Sequence, residues 1–397
     1  MLVASINPPT IETLQEAQKW ADALEFRLDL YPALDWETLR PHLRKPVIVK
    51  GNLPLSWTPD YLDVGLDKPP ATRAKIIRSL HYPEGCDDLE AAYTLLTAEP
   101  ADLYKLCVYT HSTVEDLKLA LFRRDKLTCF GMGPYSLVSR LLAPWVYGVV
   151  DTGHALAPGQ LSLQDMRTLY RYGEPLALYG LLGESVSHSI GHLYHNKGPS
   201  RYVKMAVPPY ELREVIALCR ALGFRGLSVT MPHKEAVIAS VDYLHTAIGA
   251  VNTLHVTEQG VHGYNTDAAG ALDSLEEKGP VQGKRMVVLG AGGAARAFIS
   301  EALKRGADVW IYNRTLEKAA RLAAHFHCRV GWPARPDSVI NTTPVDWPDT
   351  FMPPGALIMD MARTPFAPRA RARGWTVVPW EAMYNRQAEL QREIWGI

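Results

Sequence analysis

The twelve residues Met286-Val-Val-Leu-Gly290-Ala-Gly292-Gly293-Ala294-Ala295-Arg296-Ala297 constrain the fold more than any other stretch, because they read as strand, glycine turn and helix start without interruption. Gly290 permits a sharp exit from the strand. Gly292 lets backbone approach a pyrophosphate, and small Ala295 lets the helix pack closely on the sheet. The amides that open this helix, including those of Gly293 and Ala294, would face the phosphates. Roughly 20 residues further on, where an NAD site usually carries an acidic ribose ligand, the apolar run Asp308-Val-Trp-Ile-Tyr312 ends in Asn313-Arg314-Thr315. An amide and a guanidinium there favour a 2′-phosphate, and hence NADP. Taken alone, the motif also allows a glycine turn that binds nothing.

A chain of 397 residues with 47% hydrophobic content is expected to form two or three domains with substantial cores. Its 42 basic residues balance 42 acidic ones, so no net field gathers nucleic acid or an anionic membrane, and the expected partners are small-molecule substrates. The five cysteines are scattered and form neither C-x-x-C pairs nor a histidine-supported cluster, which implies no metal and reduced thiols in a cytoplasmic protein. The amino terminus lacks the pattern of a signal peptide, and no apolar run reaches the ~18 residues of a membrane span. The sequence fixes no oligomeric state.

Before residue 175 stand eight short apolar runs: Leu2 to Ile6, Leu24 to Leu30, Pro46 to Lys50, Tyr61 to Leu66, Ile76 to His81, Leu103 to Tyr109, Leu127 to Met132 and Trp145 to Val150. Helical stretches separate most of them, among them Ile11 to Ala23, Asp87 to Leu96, Val114 to Arg123 and Ser136 to Ala143. This pattern predicts a (β/α)8 barrel, trimmed because such barrels normally need about 200–250 residues. The expected place of trimming is Gly51 to Asp60, too short for a crossover helix. After Tyr172-Gly-Glu-Pro175 a second α/β pattern begins, with a helix near His188 to His195 and another from Lys234 to Val241. A helix from Asp267 to Glu277 leads into the glycine-turn region, and an amphipathic helix from Ala382 to Trp395 closes the chain. The expected domains are 1–174 (barrel), 175–266 with 382–397 (substrate-binding α/β) and 267–381 (Rossmann, NADP-binding).

In Gly226-Leu-Ser-Val-Thr230-Met-Pro-His-Lys234 a lysine follows a strand, where it can donate a proton to a carbonyl oxygen that receives hydride. Asp267, in Gly263-Tyr-Asn-Thr-Asp267, can hold that lysine or accept a substrate hydroxyl. Each residue alone also fits a plain role, an exposed lysine and a helix cap. In order, His188-Ser189, V-T-x-P-x-K, Gly249-Ala-Val-Asn252-Thr253, G-x-N-T-D, the glycine turn, Asn313-Arg314-Thr315 and the late glutamine helix resemble shikimate dehydrogenase over about residues 178–397. The resemblance implies a catalytic pair, Lys234 and Asp267. Ser189, Thr230, Asn252 and Gln387 would bind substrate, and Gly290, Gly292, Gly293, Ala294, Asn313, Arg314, Thr315, Lys318 and Met361 would bind the cofactor. The chain departs from the family at Gly191 (a serine there), Arg363 (a tyrosine) and Trp380 (a glycine). Arg363 is expected to replace the lost serine as a carboxylate partner.

In the amino-terminal half, Lys105 lies inside the apolar strand Leu103 to Tyr109, where burial is expected to depress its pKa and make the amine nucleophilic. His81 ends a strand at the rim where barrel chemistry gathers. Glu25, Arg27 and Asp29 share a face by period two; a structural salt-bridge layer is the other reading of these three. Together with Ser139-Arg140 and Ala157-Pro-Gly-Gln160 these pieces resemble type I 3-dehydroquinate dehydratase. By that resemblance Lys105 forms an imine, His81 moves the C2 proton, Arg140 and Gln160 grip the carboxylate, and Glu25 and Arg27 line the pocket. Departures are Gly65 for a histidine-orienting glutamate, Leu156 for a serine, and Val49-Lys50-Gly51 for a T-x-R strand end, so a slow dehydratase is expected.

Joined, the halves predict an enzyme that dehydrates 3-dehydroquinate to 3-dehydroshikimate and reduces the latter with NADPH to shikimate. Two other readings fit the same motifs: a shikimate or quinate dehydrogenase with an inactive barrel, and a metabolite-sensing regulator. The regulator reading lacks any appended DNA-binding module.

Overall fold

The computed structural model describes residues 1–51, 57–151 and 155–397. Two compact units, Met1–Phe224 and Arg225–Ile397, are considered separately. The first opens with eight parallel strands: β1 (Leu2–Ser5), β2 (Ala23–Arg27), β3 (Val47–Lys50), β4 (Tyr61–Gly65), β5 (Lys75–Tyr82), β6 (Leu103–Tyr109), β7 (Leu127–Met132) and β8 (Val146–Gly148). Their order is β7-β6-β5-β4-β3-β2-β1-β8, the expected barrel, nearly closed. Among the described residues β7 and β8 share no ladder, β8 being three residues long. The seam is bridged by Thr128 Oγ1, which donates to Trp145 O, and by the Phe130 and Tyr147 rings, 6.3 Å apart.

β1 is buried along its whole length, as a parallel strand covered on both faces should be. The outer helices start where the chain supplies a cap. The side chains of Thr10, Asp88 and Ser112 accept from the amides of Thr13, Ala91 and Glu115 at 3.1, 2.9 and 3.3 Å. The trimming expected between Gly51 and Asp60 includes residues 52–56, which lie outside the described residues. The β4–β5 connection, residues 66–74, carries no helix, so the barrel is shortened at that crossover. β4 is bulged between Asp63 and Gly65, with Gly65 at φ +61°.

Beyond the barrel, β9 (Ala177–Gly183) pairs in parallel with β10 (Ser200–Ala206). Thr113 Oγ1, at the start of a barrel helix, donates to Ala206 O at 2.5 Å, and Lys118 pairs with Glu214 at 2.8 Å. These contacts carry the first unit past the barrel. The helix expected near His188 to His195 is confined to Gly191–His195.

In the second unit, β11 (Phe224–Val229) is followed by β12 (Tyr243–Leu244), β13 (Thr253–Val256) and β14 (Val261–Tyr264). β13 runs antiparallel to both β11 and β14, and β12 lies parallel on β14. The α-helix expected from Lys234 to Val241 is instead a turn followed by a 3-10 segment, Ala236–Ser240. Tertiary pairing explains the difference: Lys234 O accepts from Val251 N at 2.7 Å, and Ile238 N turns to Glu235 O at 3.3 Å. The remaining strands are β15 (Arg285–Leu289), β16 (Asp308–Tyr312), β17 (Arg329–Val330), β18 (Ser338–Asn341), β19 (Leu357–Asp360) and β20 (Val377–Val378). They form one parallel sheet in the order β17-β16-β15-β18-β19-β20, the doubly wound arrangement expected of a Rossmann domain. The closing helix, Trp380–Trp395, begins two residues before its expected start. Among the described residues no helix is long and apolar enough to cross a membrane.

Candidate active sites

Inside the barrel a cavity of about 310 Å3 gathers Glu25, Arg27, His81, Lys105, Arg140 and Gln160, all six pocket residues expected from the sequence. Period two on neighbouring parallel strands does this: Ser79 lies beside Lys105 and His81 beside Cys107, so alternate residues of β5 and β6 face one interior. Lys105 is buried, with Nζ 2.6 Å from Asp63 Oδ2, 3.8 Å from Glu25 Oε1 and 4.6 Å from the Tyr147 ring centroid. Ser5 Oγ donates to Glu25 Oε2 at 2.8 Å and receives Gln160 Nε2 at 3.2 Å. Arg27 pairs with Asp29 at 2.6 Å.

Lys105 differs from its expected electrostatics. Burial pulls its pKa down, but Asp63, Tyr147 and Glu25 outweigh burial and hold it well above the ordinary lysine value. Burial likewise pushes the Asp63 carboxyl up, and the charges of Lys105 and Lys50 overcome that, holding it well below the usual carboxylate range. His81 is lowered to about 3 by desolvation and then by the charges of Lys105 and Lys50, so at neutral pH it carries a free lone pair. The resting amine is therefore an ammonium that must shed a proton before it attacks. We expect kcat/KM for any imine-forming reaction here to keep rising with pH through about 9, since that ratio reports the free enzyme. A plateau beginning near neutrality would show an amine already uncharged in the resting site.

Arg140 is 1% exposed and, among the described residues, has no carboxylate partner. Its Nε donates to Ser136 Oγ at 3.2 Å, its plane lies 5.0 Å from the Phe130 centroid, and burial pushes it down to about 10. A buried guanidinium of this kind fits a substrate carboxylate. Sequence reasoning missed Lys50, Asp63 and Tyr147. Lys50 Nζ donates to Ser79 Oγ at 2.9 Å and sits 3.4 Å from Asp63 Oδ1, at the strand end where T-x-R was missing. Asp63 is a charged residue in an apolar run, the same signal that singled out Lys105. Gly65 donates its amide to Asp63 Oδ1 at 3.1 Å.

In the second unit Lys234 Nζ lies 2.6 Å from Asp267 Oδ2. Asn252 Nδ2 donates to Asp267 Oδ1 at 2.9 Å, to Thr266 Oγ1 at 3.0 Å and to Gln387 Oε1 at 3.2 Å. Lys234, Asp267, Asn252 and Gln387 thus form one connected cluster, from a turn, the start of helix Asp267–Glu276, the residue before β13 and the closing helix. Thr230 sits at the end of β11, its carbonyl accepting from His233 N at 3.0 Å. Ser189 belongs to the first unit, where its Oγ accepts from Gly191 N at 3.2 Å. Arg363, at φ +56°, lays its guanidinium 3.6 Å from the centroid of the Trp380 ring.

The glycine turn fits a dinucleotide. Gly290 has φ +122°, and a Cβ there would lie 2.6 Å from both Thr342 Oγ1 and Thr343 Cγ2, whereas Gly292 has nothing within 4 Å of such an atom. The first residues of helix Gly293–Lys304 are exposed, leaving its opening amides uncovered. Beside the turn, a cavity of about 630 Å3 is lined by Ala291, Arg296, Lys318 and Arg321, among others. Of the expected cofactor residues Lys318 lines this cavity. Asn313, Arg314 and Thr315 form the loop after β16, with Asn313 Nδ2 donating to Thr315 O at 2.9 Å, and Met361 follows β19 with its amide on Asn341 O. Arg296 and Arg321 were not anticipated. Gly290→Ala should lower unfolding stability by about 1–3 kcal/mol from backbone strain and raise the KM for a dinucleotide; denaturant titration and initial rates check this.

Three family models match the chain: type I 3-dehydroquinase over residues 52–176, the shikimate dehydrogenase substrate binding domain over 181–254, and shikimate / quinate 5-dehydrogenase over 273–331. The chain is 31% identical to the shikimate biosynthesis protein AroDE of Chlamydia pneumoniae, covering all of this chain and 95% of that protein. It is 28% identical to the chloroplastic bifunctional 3-dehydroquinate dehydratase/shikimate dehydrogenase of Arabidopsis thaliana, over 81% of this chain and 65% of that protein. Among solved structures, the shikimate dehydrogenase of Aquifex aeolicus is similar at 31% identity with a TM-score of 0.52, covering 55% of this chain and 92% of that one. The Thermus thermophilus enzyme in complex with NADP(H) and shikimate is similar at 32% identity with a TM-score of 0.50, covering 56% and 94%.

Proposed function

The chain belongs to the family of bifunctional shikimate biosynthesis proteins that join a type I 3-dehydroquinase to a shikimate dehydrogenase, and from that premise we propose which residues perform each reaction. It dehydrates 3-dehydroquinate to 3-dehydroshikimate and, with NADPH, reduces the latter to shikimate. The observation that carries the residue assignment is the convergence of Lys105, His81, Arg140 and Gln160 on one barrel cavity.

In the barrel, Arg140 and Gln160 orient the substrate through its carboxylate, and Lys105 Nζ, once deprotonated, adds to the ketone. Water leaves as the imine forms. The imine withdraws electrons from the adjacent C2–H bond, His81 takes that proton as an uncharged base, and the same proton leaves with the departing hydroxyl as water. Hydrolysis of the imine returns Lys105. Lys50 and Asp63 keep the pocket charge balanced while the lysine cycles.

In the second unit, NADPH when bound supplies the hydride. Lys234 donates a proton to the carbonyl oxygen as charge develops on it, and Asp267 holds the ammonium in place. Asn252 fixes Asp267 and, with Gln387 and Thr230, binds the ring substituents. Gly290, Gly292, Gly293 and Ala294 would give backbone to the pyrophosphate, while Asn313, Arg314, Thr315 and Lys318 would meet the 2′-phosphate and Met361 would also hold the cofactor. The working division follows residues 1–174, 175–266 with 382–397, and 267–381. The five unpaired cysteines support work in a reducing cytoplasm.

Borohydride added during turnover of 3-dehydroquinate should fix a reduced adduct on Lys105, located by peptide mass spectrometry, while 3-dehydroshikimate drives NADPH oxidation. Oxidation without an adduct would leave the barrel without a catalytic lysine.

A further inference from the structure

A crevice of about 590 Å3 opens at the end of the parallel sheet opposite the glycine turn, where β15, β18 and β19 begin. The five residues of β15, Arg285–Leu289, lead from the crevice to Gly290. At ~3.3 Å per residue this places the crevice roughly 15 Å from the dinucleotide turn. Doubly wound sheets take their ligands at the carboxyl ends of the strands, so this cavity is separate from the cofactor cleft.

Its chemistry is specific. Four cations line it, Lys278, Lys284, Arg285 and Arg335, against one carboxylate, Asp337. Asp337 is already engaged, accepting from Arg285 N at 2.8 Å and lying 3.5 Å from Arg285 Nε and 3.8 Å from Lys284 Nζ. Among the described residues neither Lys278 nor Arg335 has an acidic partner. Ser338 also lines the crevice; it is 5% exposed, and its Oγ has no hydrogen-bond partner among the described residues. A buried hydroxyl left unpaired is unfavourable, and an incoming acceptor would remove that penalty. The floor is apolar, formed by Leu275, Val281 and Met286. A bare inorganic ion would use the rim and leave this floor uncovered.

We propose that this crevice is an additional small-molecule site, which binds an organic anion: a compact apolar body on the floor, with its carboxylate, sulfonate or phosphate between Lys278 and Arg335 and one oxygen accepting from Ser338 Oγ. Pro280, Pro336 and Pro354 frame the site and limit the ordering lost on binding. The probe is 8-anilinonaphthalene-1-sulfonate, titrated by fluorescence into the full chain with saturating NADP+ present so that the cofactor cleft is filled. One probe molecule per chain is expected to bind. K278E/R335E should weaken binding about tenfold or more, and Ser338→Ala should weaken it by a smaller factor. Both enzyme activities should remain unchanged in the K278E/R335E variant, because its two exposed side chains touch neither catalytic cluster. Displacement of the probe by NADP+, or equal affinity for wild type and K278E/R335E, would overturn the proposal.

Discussion

Replacement of Lys105 by methionine should abolish dehydration of 3-dehydroquinate, with a fall in kcat of about 10^4-fold or more, because no other group can form the imine that acidifies the C2 proton. Among the described residues Lys50 is the one rival amine in the cavity, and it does not substitute: its Nζ is held by Ser79 and Asp63 at the end of β3. The dehydrogenase reaction should proceed at the wild-type rate. Stability must be followed separately, since among the described residues the variant leaves buried Asp63 with only Lys50 as a cationic partner, 3.4 Å away. Removing one partner of a buried pair costs about 3–5 kcal/mol. The double variant K105M/D63N removes the uncompensated charge together with the lysine. It should recover most of the lost stability and none of the dehydratase activity, which separates a chemical defect from a folding one. Substantial turnover in a folded K105M protein would refute the imine route.

The electrostatics of this same lysine mark where sequence reading stops. That Lys105 matters is legible, since a charge inside Leu103 to Tyr109 needs a reason. The direction of its pKa is not, because it depends on Asp63, 42 residues away in sequence, reaching the amine from β4 over the intervening β5. The glycine turn is legible for the opposite reason: strand, turn and helix are contiguous, and Gly290 needs its positive φ whatever lies around it. The expected helix after Lys234 failed because one carbonyl was claimed by Val251 N, a partner from the next turn. The open seam between β7 and β8 depends on ladder pairing that no local pattern encodes. The basic crevice is likewise invisible in the sequence, since its cations come from two separate loops and the first residue of β15 and are neutral in the overall charge count.

Lys234→Met should lower kcat for NADPH-dependent reduction by about 10^3-fold, within the 10^2–10^4 range of a positioned proton donor, while leaving the KM for NADPH near wild type. The geometry supports a loss confined to the chemical step. Asp267 keeps its bond from Asn252 Nδ2 at 2.9 Å, so the carboxylate stays in place when the ammonium is gone. The Lys234–Asp267 pair is partly solvated, with side-chain exposures of 31% and 19%, so its loss should cost little stability, about 1 kcal/mol or less. Asp267→Asn asks the complementary question. It keeps a side chain that can meet Asn252 but no longer anchors the ammonium, so kcat should fall less than in Lys234→Met, with a larger rise in the KM for 3-dehydroshikimate. A purely structural pair would move melting temperature and both kinetic constants together; a proton donor and its anchor should instead divide kcat and KM between them. Equal, small effects of both variants on kcat would remove Lys234 from the chemistry and point to water as the proton source.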